Sequence, residues 1–244
     1  MEARSVAYGE RKNITAMFAD IKGSVELMVD LDPEDARSIV DPALEIMMEA
    51  VHRYEGYVAR PTGDGIFALF GAPIACEDHA RRAVHAALRM QQEIRRYTAR
   101  LRVDRGLSVQ IRVGLNTGEV VLRSIRKDDL HTEYDPVGHS TNLAARMEAL
   151  ARPDSILVSE STYSLAEGYF EFRPLGMVPV KGVREPMATY EVIAPTPERT
   201  PIELAARRGL VRFVGREREL AEIERALDLA RQGRGHVVAV VGDP

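Results

Sequence analysis

Cysteine is almost missing: Cys76 is the only one among 244 residues. No internal disulfide can form, and a reducing, cytoplasmic setting is the expectation. Long apolar runs are missing as well. The longest falls far short of a membrane span, and no basic stretch followed by an apolar core opens the chain, so no membrane partner is expected. The net charge of −4 argues against general nucleic-acid binding. The six histidines have neither close i, i+4 pairing nor cysteine company, which removes the usual basis for a histidine metal site. What remains is ordinary for a globular chain, with 45% hydrophobic and 29% charged residues. That suffices for one large core, or one core and a smaller unit.

The patterning gives a series of elements. Residues 13–20 read as a buried strand, and Lys22-Gly23-Ser24 turns the chain into a short helix to about residue 30. Asp32-Pro33-Glu34-Asp35 is a helix start, with that helix running to about Tyr54 and Gly56 as its stop. Residues 57–61 and 66–70 form a hairpin around Thr62-Gly63-Asp64-Gly65. Ala80, Ala83, Val84, Ala87, Leu88 and Ile94 share one face of a helix from about Glu77 to Leu101, and its arginines read as a solvated face. Residues 108–116 read as a strand, which Gly118 bends into another at 119–123. A helix over 139–150 should bury Leu143, Met147 and Leu150. A strand at 155–159, a short helix at 161–167 and a last strand at 189–193 follow.

Pro195, Pro197 and Pro201 mark a linker, placed at 195–212. Beyond it, 213–244 carries a charged helix at about 217–231. The apolar run 236–241 reads as a strand entering a phosphate-binding loop, cut before any Gly-Lys-Ser/Thr.

Two aspartates stand out in the 1–194 region. Asp20 ends an apolar run, Phe18-Ala19-Asp20-Ile21-Lys22-Gly23-Ser24, and Asp64 sits in a glycine turn. Two hard oxygen ligands beside a glycine-opened backbone suit divalent cations on a polyphosphate. Gly23 lets backbone N–H groups and a helix N-terminus face a phosphate. Singly, each residue has a plainer reading: Asp-Gly is a common hairpin turn, and Asp20 a strand-end cap. Further on, Asn142 and Arg146 stand at i and i+4 on one helix face. An amide and a fixed guanidinium there suit a sugar and a developing phosphoryl charge, or are a surface pair of no consequence.

Taken in order, the Asp20 segment, Thr62-Gly63-Asp64-Gly65, and Asp135 with Asn142 and Arg146 resemble the class III adenylate/guanylate cyclase catalytic domain. The resemblance covers about residues 11–194. It implies an α/β (α+β sandwich) fold of the ferredoxin-like cyclase type, a mostly antiparallel sheet with packed helices. It also implies that Asp20, Asp64 and the Ile21 carbonyl hold two Mg²⁺ or Mn²⁺ ions. Lys22, Gly23, Ser24, Val25 and Lys181 would bind the triphosphate, Asn142 would orient the ribose, and Arg146 would stabilise the transition state. Arg60 and Asp135 would read the base. Family members that make cyclic AMP commonly carry Lys where this chain has Arg60. Asp135 accepts from the adenine amino group and repels the guanine oxygen, so ATP is the expected substrate. Arg is longer and forked, and could equally reach two guanine acceptors.

The resemblance further implies a homodimer that shares its sites, with the metal aspartates from one subunit and Asn142 and Arg146 from the other. The tail resembles the opening of a signal-transduction ATPase domain, a downstream partner within the same chain. Adenylate cyclase is the favoured reading. A guanylate or promiscuous purine cyclase, and a nucleotide-binding regulatory module without turnover, are the alternatives.

Overall fold

The computed structural model of the chain describes residues 9–23, 32–126, 132–180, 185–197, 203, 215–239 and 241. Two units divide at Arg199/Thr200. The first is built on one eight-stranded sheet in the order β2-β3-β1-β4-β6-β8-β7, with β5 paired to β4. The strands are β1 (Glu10–Lys22), β2 (Tyr57–Pro61), β3 (Gly65–Phe70), β4 (Gln110–Arg126), β5 (Thr132–Val137), β6 (Ser155–Ser159), β7 (Phe170–Val178) and β8 (Met187–Pro195). Every pairing is antiparallel except β4 with β6. A parallel pair needs a long crossover, and the helix α3 (His139–Leu150) lies between these strands in sequence.

Alternation along the strands makes the two sides of the sheet different. Met17, Ala19 and Ile21 of β1 join Ile66, Ala68, Ile111, Val113 and Leu115 in the main core. Covering that side are α1 (Pro33–Arg53) and α2 (His79–Arg105), which contribute Ile39, Met47, Val84, Met90 and Ile94. The opposite parity, Ile14, Ala16, Phe67, Leu69, Val120 and Leu122, forms a second cluster with Ala144 of α3. Asp20 has the parity of Ile14 and Ala16. It therefore lies on the α3 side, where a carboxylate is not sealed beneath two helices.

Local chemistry sets the helix ends. The Asp32 side chain accepts from the Glu34 N–H at 3.0 Å, with Pro33 in the first turn. The α1 stop is not Gly56 as expected. Glu55 takes the left-handed conformation, at φ 58°, and the Gly56 N–H bonds back to the Val51 carbonyl. Gly56 is needed for space, since a Cβ there would meet Phe70 at 2.6 Å. Helix α2 begins at His79 and runs one turn past the expected end, to a left-handed Gly106.

Three further expectations are corrected. Gly118 does not bend the chain: β4 is one unbroken strand. The glycine is there because a Cβ would lie 2.4 Å from Ser140 Oγ, at the start of α3. In α3 the buried positions are Ala144 and Met147, whereas Leu150 is 40% exposed near the C-terminal end of the helix. Strands β5 and β7 were not anticipated. Pro136, Pro174 and Gly176 break their alternation, and β7 accommodates two register shifts against β8. The short helix expected after Gly23 lies outside the described residues.

Helix α3 packs hard on β4. A Cβ at Gly114 would sit 2.0 Å from the Glu148 nitrogen and 2.4 Å from the Ala144 carbonyl. Backbone cannot yield as a side chain tip can. Gly114→Ala is therefore expected to cost about 2–3 kcal/mol, read as a drop of several degrees in Tm, because it overpacks the contact and lifts α3 from the sheet.

In the second unit, α5 (Glu217–Arg231) buries none of its residues; the helix α4 (Glu160–Ala166) belongs to the first unit. Residues 236–239 form no strand, contrary to expectation, and Val237 is 98% exposed. A strand needs a neighbour for its N–H and C=O groups, and the described residues of this unit contain none. Val240 and residues 242–244 of the expected phosphate loop lie outside the described residues. Among the described residues no helix is long and apolar enough to cross a membrane.

Candidate active site

The sheet register brings the two aspartates together. Asp20 stands opposite Gly65 on β3 and opposite Arg112 on β4. The Ile21 N–H donates to the Asp64 carbonyl at 3.2 Å, and the Thr62 N–H to the Gly65 carbonyl at 2.9 Å. These bonds clamp the glycine turn to the end of β1. Gly63 has φ 93°, which a glycine accepts without strain. Gly65 gives the close approach: a Cβ there would lie 2.3 Å from the Ala19 carbonyl and 2.9 Å from Asp20 Oδ1. The Asp20 and Asp64 carboxyls consequently stand within hydrogen-bonding reach of each other.

Burial first, then the adjoining Asp64 carboxyl, push Asp20 up to about 6, while the Arg112 guanidinium pulls it down. Asp20 holds its proton more tightly folded than unfolded. The stability this contributes is complete below the unfolded value of 3.8 and is lost as pH rises through about 6. Metal-free protein at pH 7.5 thus carries an unfavourable charge. Asp20→Asn is expected to raise stability at pH 7.5 in EDTA by about 1–2 kcal/mol, with the gain shrinking towards pH 4.5. Thermal unfolding at the two pH values measures it; an equal Tm change at both would mean that the acid pair carries no such repulsion.

Two further residues complete the cluster, and neither was singled out from the sequence. Arg112 Nη2 lies 3.2 Å from Asp20 Oδ2 and 2.7 Å from Glu148 Oε1. The side chains of Asp20, Arg112 and Glu148 are 27%, 21% and 14% exposed. Burial raises Glu148 most, Arg112 lowers it, and Asp20 and Asp64 raise it further. The signal for Arg112 was present in the alternation Ile111-Arg112-Val113, which puts a guanidinium on the same side as Gly114. Nothing in the spacing of Glu148 tied it to Asp20.

Asn142 and Arg146 are exposed on α3, as their spacing implied. The hydrogen bond and ion pair of Asp20 run to Arg112 of β4. The helix that carries Asn142 and Arg146 is fixed: Asn116 Nδ2 donates to the Ser140 carbonyl at 2.9 Å, and Ser140 Oγ to the Glu119 carbonyl at 3.0 Å. Arg60 is exposed on β2, its guanidinium carbon 5.7 Å from the centroid of Phe67, which itself stacks on Phe18 at 4.5 Å. Asp135 is exposed on β5 opposite Arg123. Strands β2 and β5 approach each other through the edge-on contact of Tyr57 and Tyr134, with centroids 5.7 Å apart. Lys22 is exposed, and Gly23 turns the chain at φ 74°. Ser24, Val25 and Lys181 lie outside the described residues.

A divalent cation fits the donor set. Two carboxyls held side by side, one on a central strand and one in the adjoining turn, repel when ionised, and a hard cation between them relieves that repulsion. No group of three or more His, Cys, Asp or Glu side chains poised for a metal occurs among the described residues. Any ion at this pair would need further ligands from backbone, water or substrate, as is usual for magnesium.

A mostly antiparallel sheet that carries Asp20 near the end of a central strand beside the Asp64 turn, with helix α3 packed alongside, defines an α+β domain. The profile of the adenylate and guanylate cyclase catalytic domain matches residues 6–194. Adenylate cyclase 1 of Rhizobium meliloti is 27% identical over 75% of this chain and 28% of its own length. Among solved structures, the guanylate cyclase domain of RhGC from Catenaria anguillulae, in complex with GTP, is 30% identical. It covers 77% of this chain and 100% of that one, with a TM-score of 0.67. The adenylyl cyclase CyaB from P. aeruginosa is 28% identical over 77% of this chain and 96% of that one, with a TM-score of 0.71. The chain belongs to the adenylate and guanylate cyclase catalytic domain family. It spans 28% and 23% of the first two curated relatives it matches.

Proposed function

We propose that this chain is the catalytic part of an adenylate cyclase that converts ATP to 3′,5′-cyclic AMP and pyrophosphate. The observation carrying the reading is the juxtaposition of Asp20, near the end of central strand β1, with the Asp64 turn. These two carboxylates and the Ile21 carbonyl would hold two Mg²⁺ or Mn²⁺ ions, which supply charge neutralisation of the triphosphate and acidification of the ribose 3′-hydroxyl. Lys22, the backbone at Gly23, Ser24 and Val25, and Lys181 bind the triphosphate. Asn142 orients the ribose. The 3′-oxygen loses its proton and attacks the α-phosphorus in line as pyrophosphate leaves. Arg146 holds the charge that develops on the equatorial oxygens.

The exposure of Asn142 and Arg146 on α3 supports two chains sharing each site. One chain contributes Asp20 and Asp64, the other Asn142 and Arg146. Asp135 accepts from the adenine amino group, and Arg60 donates to the ring.

A guanylate or mixed-specificity reading has one observation in its favour. Arg60 lies against Phe67 as a planar fork, which can serve two guanine acceptors as readily as one adenine nitrogen. The test is product formation by purified protein with ATP and with GTP, each with Mn²⁺ and Mg²⁺. Cyclic AMP from ATP, in excess over cyclic GMP from GTP, is the expected result. Cyclic GMP as the dominant product overturns the base assignment, and nucleotide binding with no cyclic product overturns the enzyme.

A further inference from the structure

We propose that Arg112 is the internal counter-cation of the Asp20–Asp64 pair, that a divalent cation arriving there displaces it, and that Glu148 is the carboxylate that receives it. The inference rests on the metal reading above and adds how the site accommodates its charge before and after metal binds. One nitrogen, Nη2, serves both carboxylates, from 3.2 Å on the Asp20 side and 2.7 Å on the Glu148 side. The guanidinium is not locked by its usual two-pronged grip. Arg112 Nε is buried without a hydrogen-bond partner, and Glu148 Oε1 has the charge contact but no aligned hydrogen bond. A side chain held this way releases Asp20 and keeps Glu148 by giving up one contact.

The charges close. Three carboxylates, Asp20, Asp64 and Glu148, against one guanidinium leave two negative charges when all are ionised. One divalent cation between Asp20 and Asp64, the first of the two proposed above and the one bound without nucleotide, cancels both and leaves Arg112 with Glu148 as a neutral pair. Lys22, which also acts on Glu148, is exposed, so water screens its charge. The backbone that carries Glu148 is itself fixed, because α3 rests there on Gly114 of β4. Glu148 therefore acts on the metal site through Arg112 and is a positioning residue.

The experiment is Mn²⁺ titration of the full chain without nucleotide, reading unbound Mn²⁺ by electron paramagnetic resonance. Arg112→Gln removes the competitor, and its Kd is expected to fall at least threefold. Glu148→Gln leaves Arg112 with Asp20 alone, and its Kd should rise at least threefold. The double variant should bind like Arg112→Gln. An ion pair that only braced the fold would move both single variants the same way. Shifts in the same direction overturn the exchange. So does a Glu148→Gln effect that persists undiminished in the Arg112→Gln background, which is direct electrostatics. Arg112→Met, of similar length and with no unpaired donor, repeats the cycle on the same criteria if Arg112→Gln does not fold. Asp64→Asn separates the two readings. If wild type binds no Mn²⁺ that Asp64→Asn removes, the metal assignment falls and this inference with it. If it does and the signs disagree with those expected, the exchange alone falls.

Discussion

Asp64→Ala, and equally Asp20→Ala, is expected to leave a folded protein that forms no measurable cyclic nucleotide. The two halves of that expectation have separate causes. Asp64 lies in a turn whose geometry comes from Gly63 at positive φ and from the backbone bonds Ile21 N–H to Asp64 O and Thr62 N–H to Gly65 O. None of these needs the carboxylate. Asp20 is the end of a strand already fixed by its register on both sides, and its charge disfavours the metal-free fold above about pH 6. Stability should therefore hold or rise when either acid is removed. Chemistry should not survive. Without a carboxylate pair the site cannot offset the triphosphate or lower the barrier to ionising a sugar hydroxyl. Loss of all turnover with an unchanged or higher Tm is the expected pair of measurements. Full turnover by Asp64→Ala would falsify the metal assignment, and unfolding would show that the acids serve the fold.

Arg146→Ala should cost about 2–4 kcal/mol of transition-state stabilisation, read as a fall of about 30- to 900-fold in kcat, by analogy with removing an oxyanion donor. The change should sit in kcat with KM little altered, because the charge Arg146 meets develops only as the phosphorus is attacked. The residue is exposed on α3, so its loss should leave the fold in place. A loss of stability comparable to the loss of rate would mark it as structural. The variant also probes how sites are assembled. If Arg146 serves the partner's aspartates, neither the Asp20→Ala chain nor the Arg146→Ala chain works alone. Mixing them should restore one site per heterodimer, about a quarter of wild-type activity at random assortment. Inactive mixtures would mean that each chain completes its own site.

The first unit was legible in the sequence to the extent that its signals were local. Asp32-Pro33 set the start of α1, the apolar stripe gave α2, and glycines bracketed the β2–β3 hairpin. Reading failed where the cause lay elsewhere in the chain. Gly118 and Gly56 looked like breakers, yet each is small because a side chain, Ser140 or Phe70, occupies the space beside it. Strands β5 and β7 contain prolines and are recognisable only by the partners they pair with. The apolar run after α5 has a strand's composition and no neighbouring strand among the described residues.

By itself the sequence determined the alternation that puts Asp20 on the side away from α1 and α2, the turn that presents Asp64, and the helical spacing that exposes Asn142 and Arg146 together. These follow from periods of two and of 3.6, which any neighbouring residues obey. The tertiary structure alone decided that the Asp64 turn is clamped beside Asp20, that Arg112 stands between Asp20 and Glu148, and that α3 lies on Gly114. Those depend on strand order and register across distant segments, and no local periodicity encodes which strand a given strand will meet.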